Sequence, residues 1–201
     1  MTLAIDINDV IRDNMYQFKY IYQKYIDGSF DIDLNDIDTY NMMDHYPFDS
    51  ETDLQQFKYI DYPYELYGRA ELCDKMLAYA LNDYLEKTLK DLDEVPNIIL
   101  FSPFEIGLTI QSTFSFLSAR TIRAREIYFP VDSMTIYDRA DVVVTAQPSL
   151  IENCPDGKTV IKINKPYNKE IETKYSFDSM MDIINDPNET LIKIMENNTN
   201  D

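Results

Sequence analysis

The sequence predicts an α/β fold, a Rossmann-like parallel sheet with a helical cap inserted after the first strand. Three observations predict it. Four short runs rich in β-branched residues (3–7, 97–101, 141–145 and 159–163) are mostly apolar rather than alternating, as strands buried on both faces must be. Segments of helical length (104–120, 133–139 and 149–152) separate the later runs, the order of a parallel sheet with right-handed crossovers. The interval 9–96 between the first two runs is too long for one crossover and carries aromatic residues at helical spacing.

Taken in order, the first run is followed by a stretch in which Val10, Phe18, Ile21, Tyr22 and Tyr25 fall on one helical face. Beyond an acidic loop, Leu66, Ala70, Cys73, Leu77, Ala80, Tyr84 and Leu85 recur at three- and four-residue steps. Residues 125–129 fit a further strand. Two short helices near 177–184 and 187–196 close the chain, before an Asn-rich tail expected to fray. The expected division is a core of residues 1–9 and 97–201 and a helical cap of residues 10–96. A chain of 201 residues can bury a core of that kind.

Composition narrows the function. Hydrophobic residues make up 45% of the chain and aromatics 13%, which is enough to drive folding. The four glycines, Gly28, Gly68, Gly107 and Gly157, lie far apart, which excludes a glycine-rich phosphate cradle. The formal charge of −18 disfavours nucleic acid and anionic membrane as partners and favours a protein partner. Cys73 and Cys154 have no zinc spacing and read as reduced thiols. No basic region precedes Asp6, so secretion is not expected, and no apolar run approaches the roughly 20 residues of a membrane span. The expected location is the cytoplasm, or the virion if the chain is bacteriophage-encoded. A low-GC genome, of a bacteriophage or a low-GC bacterium, is suggested by the excess of Ile, Asn, Tyr and Lys over Ala, Gly, Arg and Pro.

Open parallel sheets bind ligands at the carboxyl ends of their strands, so those residues carry the functional information. The first run ends Asp6-Ile7-Asn8-Asp9-Val10 and the second Phe101-Ser102-Pro103. The run at 141–145 continues Thr145-Ala146-Gln147, and Pro166-Tyr167-Asn168 follows the last. This ordered set resembles the haloacid dehalogenase-like (HAD) superfamily, and within it the 5′(3′)-deoxyribonucleotidase branch. That branch shows DxDGV, TSP, a pair of aspartates and PYN, with a helical cap after the first strand. The resemblance implies an aspartate nucleophile at Asp6 and an acid/base carboxylate two residues later. It also implies a hydroxyl at Ser102 and a lysine on the phosphoryl oxygens, and Mg²⁺ held by strand-four carboxylates.

The sequence departs from that pattern at most of these positions. Asn8 stands for the acid/base carboxylate, and an amide cannot shuttle a proton; losing such a group costs roughly 10²–10⁴-fold in rate. Asp9 replaces the glycine. Thr145 and Ala146 stand at the paired aspartates, and Ala146 cannot ligate a metal. The lysine position falls near Met134 or Thr135, leaving Arg120, Arg123 and Arg125 as candidate cations. Asp6, Asn8, Ser102, Thr145 and Ala146 are therefore expected to be vestigial, with no catalytic residue and no metal. Asp6 and Ser102 are expected to cap backbone donors of the following turns.

The leading expectation is a catalytically inactive, nucleotidase-like protein acting as a structural or protein-interaction component of a virus particle or another assembly. The enzyme alternative is a weak or altered nucleotide phosphohydrolase using Asp6, which alone would require Mg²⁺. A phosphorylated-ligand sensor is the third class. Three lesser candidates remain. Asp31, Asp33 and Asn35 match the start of a calcium loop, but Asp36 and Met42 break its pattern, so a solvated loop is expected. His45, the only histidine, is expected at the surface or in the cap packing. Tyr59, Tyr62, Tyr64 and Tyr67 fit either a partner-binding patch or cap packing.

Overall fold

The computed structural model describes residues 1–88 and 95–197. Its strands are β1 (Thr2–Asp6), β2 (Asn97–Phe101), β3 (Glu126–Tyr128), β4 (Val142–Thr145), β5 (Thr159–Ile163) and β6 (Ser176–Phe177). They form one six-stranded sheet in the order β3-β2-β1-β4-β5-β6, with every pairing parallel. The register sets Ile5 beside Leu100 and Val144, and successive residues point to opposite faces. Leu3, Ile5, Leu100, Val142, Val144 and Ile161 enter the larger core. Ala4, Ile99, Phe101 and Val143 pack on the other face with Ile136, Tyr137, Ala140 and Leu150. Because both faces are covered there, the central strands β1, β2 and β4 are mostly apolar along their length.

The chain runs outward from β1 to β3 and then returns to lay β4 on the other side of β1. The direction of winding reverses there, so the carboxyl ends of β1 and β4 flank the crevice of the sheet. The crossovers are α4 (Leu108–Ala119), a 3₁₀ turn at Ser133–Asp138 and α5 (Pro148–Glu152). Helices α6 (Met180–Ile184) and α7 (Thr190–Asn197) close the chain. The sequence pattern does not announce β6. Two residues are too few to show a period, and the strand is set by Lys162 N–H donating to Tyr175 O (3.0 Å) and Asn164 N–H to Phe177 O (2.8 Å).

Between β1 and β2 lie α1 (Asn14–Tyr25), α2 (Glu51–Gln56) and α3 (Leu77–Asp83). Asp13 caps α1 by accepting from Tyr16 N–H. Met15, Phe18, Ile21 and Tyr22 are buried, but Tyr25 stays 42% exposed and stacks on Tyr62, so the buried face ends before the periodicity does. Phe18, Tyr22, Phe30, Tyr46, Phe48 and Phe57 form one aromatic cluster, mostly in edge-to-face contacts such as Phe18–Tyr46 at 4.7 Å. Helix α2 runs on into π-helical turns at Phe57–Asp61 and Tyr64–Gly68. The helical run expected from Leu66 to Leu85 is broken between them and α3. There Asp13 N–H donates to Glu71 O and Cys73 N–H to Ile11 O, so this backbone pairs with the turn after β1 instead of with itself. Residues 89–94 of the expected cap and the Asn-rich tail beyond 197 lie outside the described residues. Among the described residues no helix is long and apolar enough to cross a membrane.

The Pro166-Tyr167-Asn168 stretch ties two strand ends together. Asn168 is buried; its Nδ2 donates to Ala146 O (2.8 Å) and Ile163 O (2.9 Å), and its Oδ1 accepts from Lys165 N–H (2.9 Å). Asn168→Ala strands both carbonyls in the interior and should lower the unfolding free energy by about 2–4 kcal/mol. Urea denaturation checks this. A loss below about 0.5 kcal/mol would show that water satisfies the freed groups.

Candidate functional site

The carboxyl ends of β1, β2 and β4 bring Asp6, Ser102 and Thr145 to one place. Asp6 is buried, and both its oxygens are engaged: Thr145 Oγ1 donates to Oδ2 at 2.7 Å and Asn8 N–H to Oδ1 at 3.0 Å. Thr145 Oγ1 in turn accepts from Gln147 N–H at 3.0 Å. Asp6 thus accepts from the turn backbone as a capping residue does. Ser102 does otherwise: its Oγ accepts from Asn8 Nδ2 (2.9 Å) and donates to Glu105, both of them side chains. Ala146 contributes only its carbonyl, to Asn168.

The centre of the site is a pair that sequence reasoning missed. Arg12, which has no exposed surface, reaches back from the turn after β1, where its Nη2 meets Glu105 Oε1 at 2.7 Å. Arg12 Nη1 donates to Tyr67 O (2.9 Å) and Thr113 Oγ1 (2.7 Å), Nε donates to Asn8 Oδ1 (3.1 Å), and Nη2 also donates to Asn8 Oδ1. The guanidinium lies 4.8 Å from the Tyr67 ring centroid and 5.4 Å from that of Phe116. Glu105 completes the set by accepting from Ser102 Oγ and, at 2.6 Å, from Thr113 Oγ1. Of the expected candidate cations, Arg120 lies over the same Phe116 ring, 4.5 Å from its centroid, and Arg123 and Arg125 are elsewhere. Arg120 donates to Ala70 O, Arg123 pairs with Glu86, and Arg125 lies beside Val95 and Ile98.

Asp9 shows why a glycine suits its position. Its φ is +59°, a left-handed backbone that aspartate tolerates better than most residues. Its carboxylate accepts from Asn14 N–H (3.0 Å), Met15 N–H (3.1 Å) and Tyr167 Oη (2.8 Å), so it fastens α1 to the turn following β5. Burial pushes Asp6 up to about 7, against the opposing effects of the Thr145 hydroxyl and the Asn8 N–H. Burial also raises Asp9, against the charge of Lys165. A cavity of about 80 Å³ lies under the helical insertion, lined by Asn8, Asp9, Tyr40, Lys58, Tyr59 and Tyr67 among others; Asp6, Ser102 and Thr145 do not line it. Desolvation lowers the Lys58 ammonium.

No protein-family model and no curated protein matches the sequence. The fold, however, is shared with a provisionally assigned haloacid dehalogenase-like hydrolase from Burkholderia xenovorans LB400. The likeness covers 94% of this chain and 97% of that one, with a TM-score of 0.55 at 11% identity. The chain has the HAD-like fold. At that identity the likeness extends to the fold alone.

Mg²⁺, which the HAD-like fold implies, does not fit the residues present. The Thr145 hydroxyl points its proton at Asp6, the Asp9 carboxylate is committed to Asn14, Met15 and Tyr167, and Asn8 Oδ1 is taken by a guanidinium. No cluster of three or more His, Cys, Asp or Glu side chains arranged for a metal occurs among the described residues. Nor does the segment Asp31–Asn35 form a calcium loop. Asp31 pairs with Lys19, and Asp33 accepts from Asn35 N–H and Nδ2 to cap a 3₁₀ turn. His45 Nε2 contacts Thr39 Oγ1 at 3.0 Å. The four tyrosines divide: Tyr67 is buried against Arg12, Tyr59 lines the cavity, Tyr62 stacks on Tyr25, and Tyr64 is 44% exposed.

A carboxyl group raised by folding binds its proton more tightly in the folded state. Its stabilising contribution is therefore complete below its unfolded value, about pH 4, and is lost as the pH climbs through about 7. Asp6→Asn removes this titration and leaves that of Asp9. Between pH 4 and pH 8 the wild type should lose more unfolding free energy than Asp6→Asn, by on the order of a few kcal/mol. Parallel pH profiles of the two proteins in urea would show that Asp6 titrates as an ordinary carboxylate.

Proposed function

We propose that this chain is a non-catalytic protein of HAD-like fold, working as a structural or protein-interaction component with a virus particle or comparable assembly as its setting. The observation that carries this reading is the filling of the site by Arg12 and Glu105. The Ser102 hydroxyl, which in an active relative would meet a phosphoryl oxygen, already donates to Glu105, and the Arg12 guanidinium beside it is neutralised by the same carboxylate. Asp6 has both oxygens engaged and lies outside the cavity, and Asn8 has no proton to exchange. In this reading no cofactor is required.

The surface supports a protein partner. A charge of −18 selects against polyanions and for a basic protein face. Phe104, Ile106, Leu108 and Phe114, in the segment after β2 and on α4, are each between 43% and 54% exposed, and Val131 is 81% exposed. Exposed apolar side chains in this number are what a protein interface uses.

Purified protein with millimolar Mg²⁺ should not hydrolyse deoxynucleoside monophosphates or an aryl phosphate above background. Turnover of about 1 s⁻¹, ordinary for an enzyme, that vanishes in Asp6→Asn would replace this reading with the phosphohydrolase.

A further inference from the structure

We infer that Glu105 is the internal ligand of a carboxylate-binding site: Ser102 Oγ, Thr113 Oγ1 and the Arg12 guanidinium form a preorganised oxyanion pocket. That pocket takes formate or acetate once the Glu105 side chain is removed. The three donors come from separate places, the end of β2, helix α4 and the turn after β1, and converge on one carboxylate. Each is also held by a partner other than Glu105. Ser102 Oγ accepts from Asn8 Nδ2, Thr113 Oγ1 accepts from Arg12 Nη1, and Arg12 is anchored on Tyr67 O and Asn8 Oδ1. With those lone pairs already used, the two hydroxyl protons point at the carboxylate. Each donor therefore keeps a second anchor when the Glu105 carboxylate is removed.

The loop carrying Glu105 is fixed independently as well. Phe104 has φ +65°, a left-handed conformation that side-chain-bearing residues seldom adopt. Phe104 N–H donates to Pro130 O at 2.9 Å, and Ile106 N–H to Thr109 Oγ1 at 2.8 Å. This arrangement turns Phe104 outward and Glu105 inward, to 3% exposure. Truncation to alanine leaves a void of acetate size beside a buried, unpaired guanidinium, which is a strong demand for a small anion. The donors favour a planar carboxylate over phosphate. Oε1 takes Ser102 and Arg12 and Oε2 takes Thr113, so the further oxygens of a tetrahedral dianion would have no donor.

The inference goes beyond the proposed function and does not depend on whether the site turns over, since the test reads no hydrolysis. The test is the melting temperature of wild type, Glu105→Ala and Glu105→Gln in chloride, formate, acetate and phosphate at equal ionic strength. Glu105→Ala should melt below wild type and regain about 3–6 °C in formate or acetate at tens of millimolar, with less in phosphate. Glu105→Gln fills the same space with a neutral amide and should show no such gain. If Glu105→Ala does not fold in chloride, refolding from urea should succeed in formate or acetate alone. Equal shifts in all three proteins, equal gains in phosphate, or failure of Glu105→Ala to respond to or refold in any carboxylate would overturn the inference.

Discussion

The buried ion pair of Arg12 and Glu105 is the constraint on which the rest of this structure depends. Two charges taken from water into a protein interior cost several kcal/mol each, and mutual attraction offsets that only where the remaining donors and acceptors are also satisfied. Here they are. The guanidinium is shared among Glu105, Asn8, Thr113 and the Tyr67 carbonyl, and the carboxylate among Arg12, Ser102 and Thr113. The network joins the turn after β1, the helical insertion, the loop after β2 and helix α4. It is one of the points at which polar groups fasten the insertion to the rest of the fold, and the Tyr67 and Phe116 rings face its guanidinium.

The same pair is what the proposed non-catalytic reading rests on. A phosphoryl-transfer site must keep a cation and a hydroxyl open toward the substrate and hold a metal beside the nucleophile. In this chain Arg12 faces an internal carboxylate, the Ser102 hydroxyl donates to that same carboxylate, and Asp6 accepts from Thr145, which is the arrangement behind the non-catalytic reading proposed above. Burial raises Asp6 to about 7, and the Thr145 hydroxyl and the Asn8 N–H, which oppose that rise, hold its carboxyl group at the end of β1.

The sheet was legible in the sequence because its strands are buried on both faces, which leaves a pattern of short apolar runs that few other structures produce. The convergence of Asp6, Ser102 and Thr145 was legible for the related reason that strand ends meet in parallel sheets. Strand β6 was not, since Ser176 and Phe177 are too few to show a period. The break before α3 was hidden because its backbone bonds are made to residues 11 and 13, about sixty positions away, and leave no local signature. Arg12 and Glu105 were missed for a different reason: a buried charge looks like an exposed one until its partner is known, and the partners here are 93 residues apart. The available signal was context. Arg12 follows Val10-Ile11 but is masked by Asp13 beside it, whereas Glu105 is a single charge set between Phe104 and Ile106.

The most direct test of this account is a double-mutant cycle on the pair, using Arg12→Met, Glu105→Leu and the combined variant, with unfolding free energies measured in urea. Removing one partner leaves the other as an uncompensated buried charge, so each single change should cost about 3–5 kcal/mol. Removing both should cost far less than the sum, giving a coupling of at least about 2 kcal/mol. Additive losses, or single changes costing under about 1 kcal/mol, would show that the two side chains are not the buried pair on which the site and its closure depend.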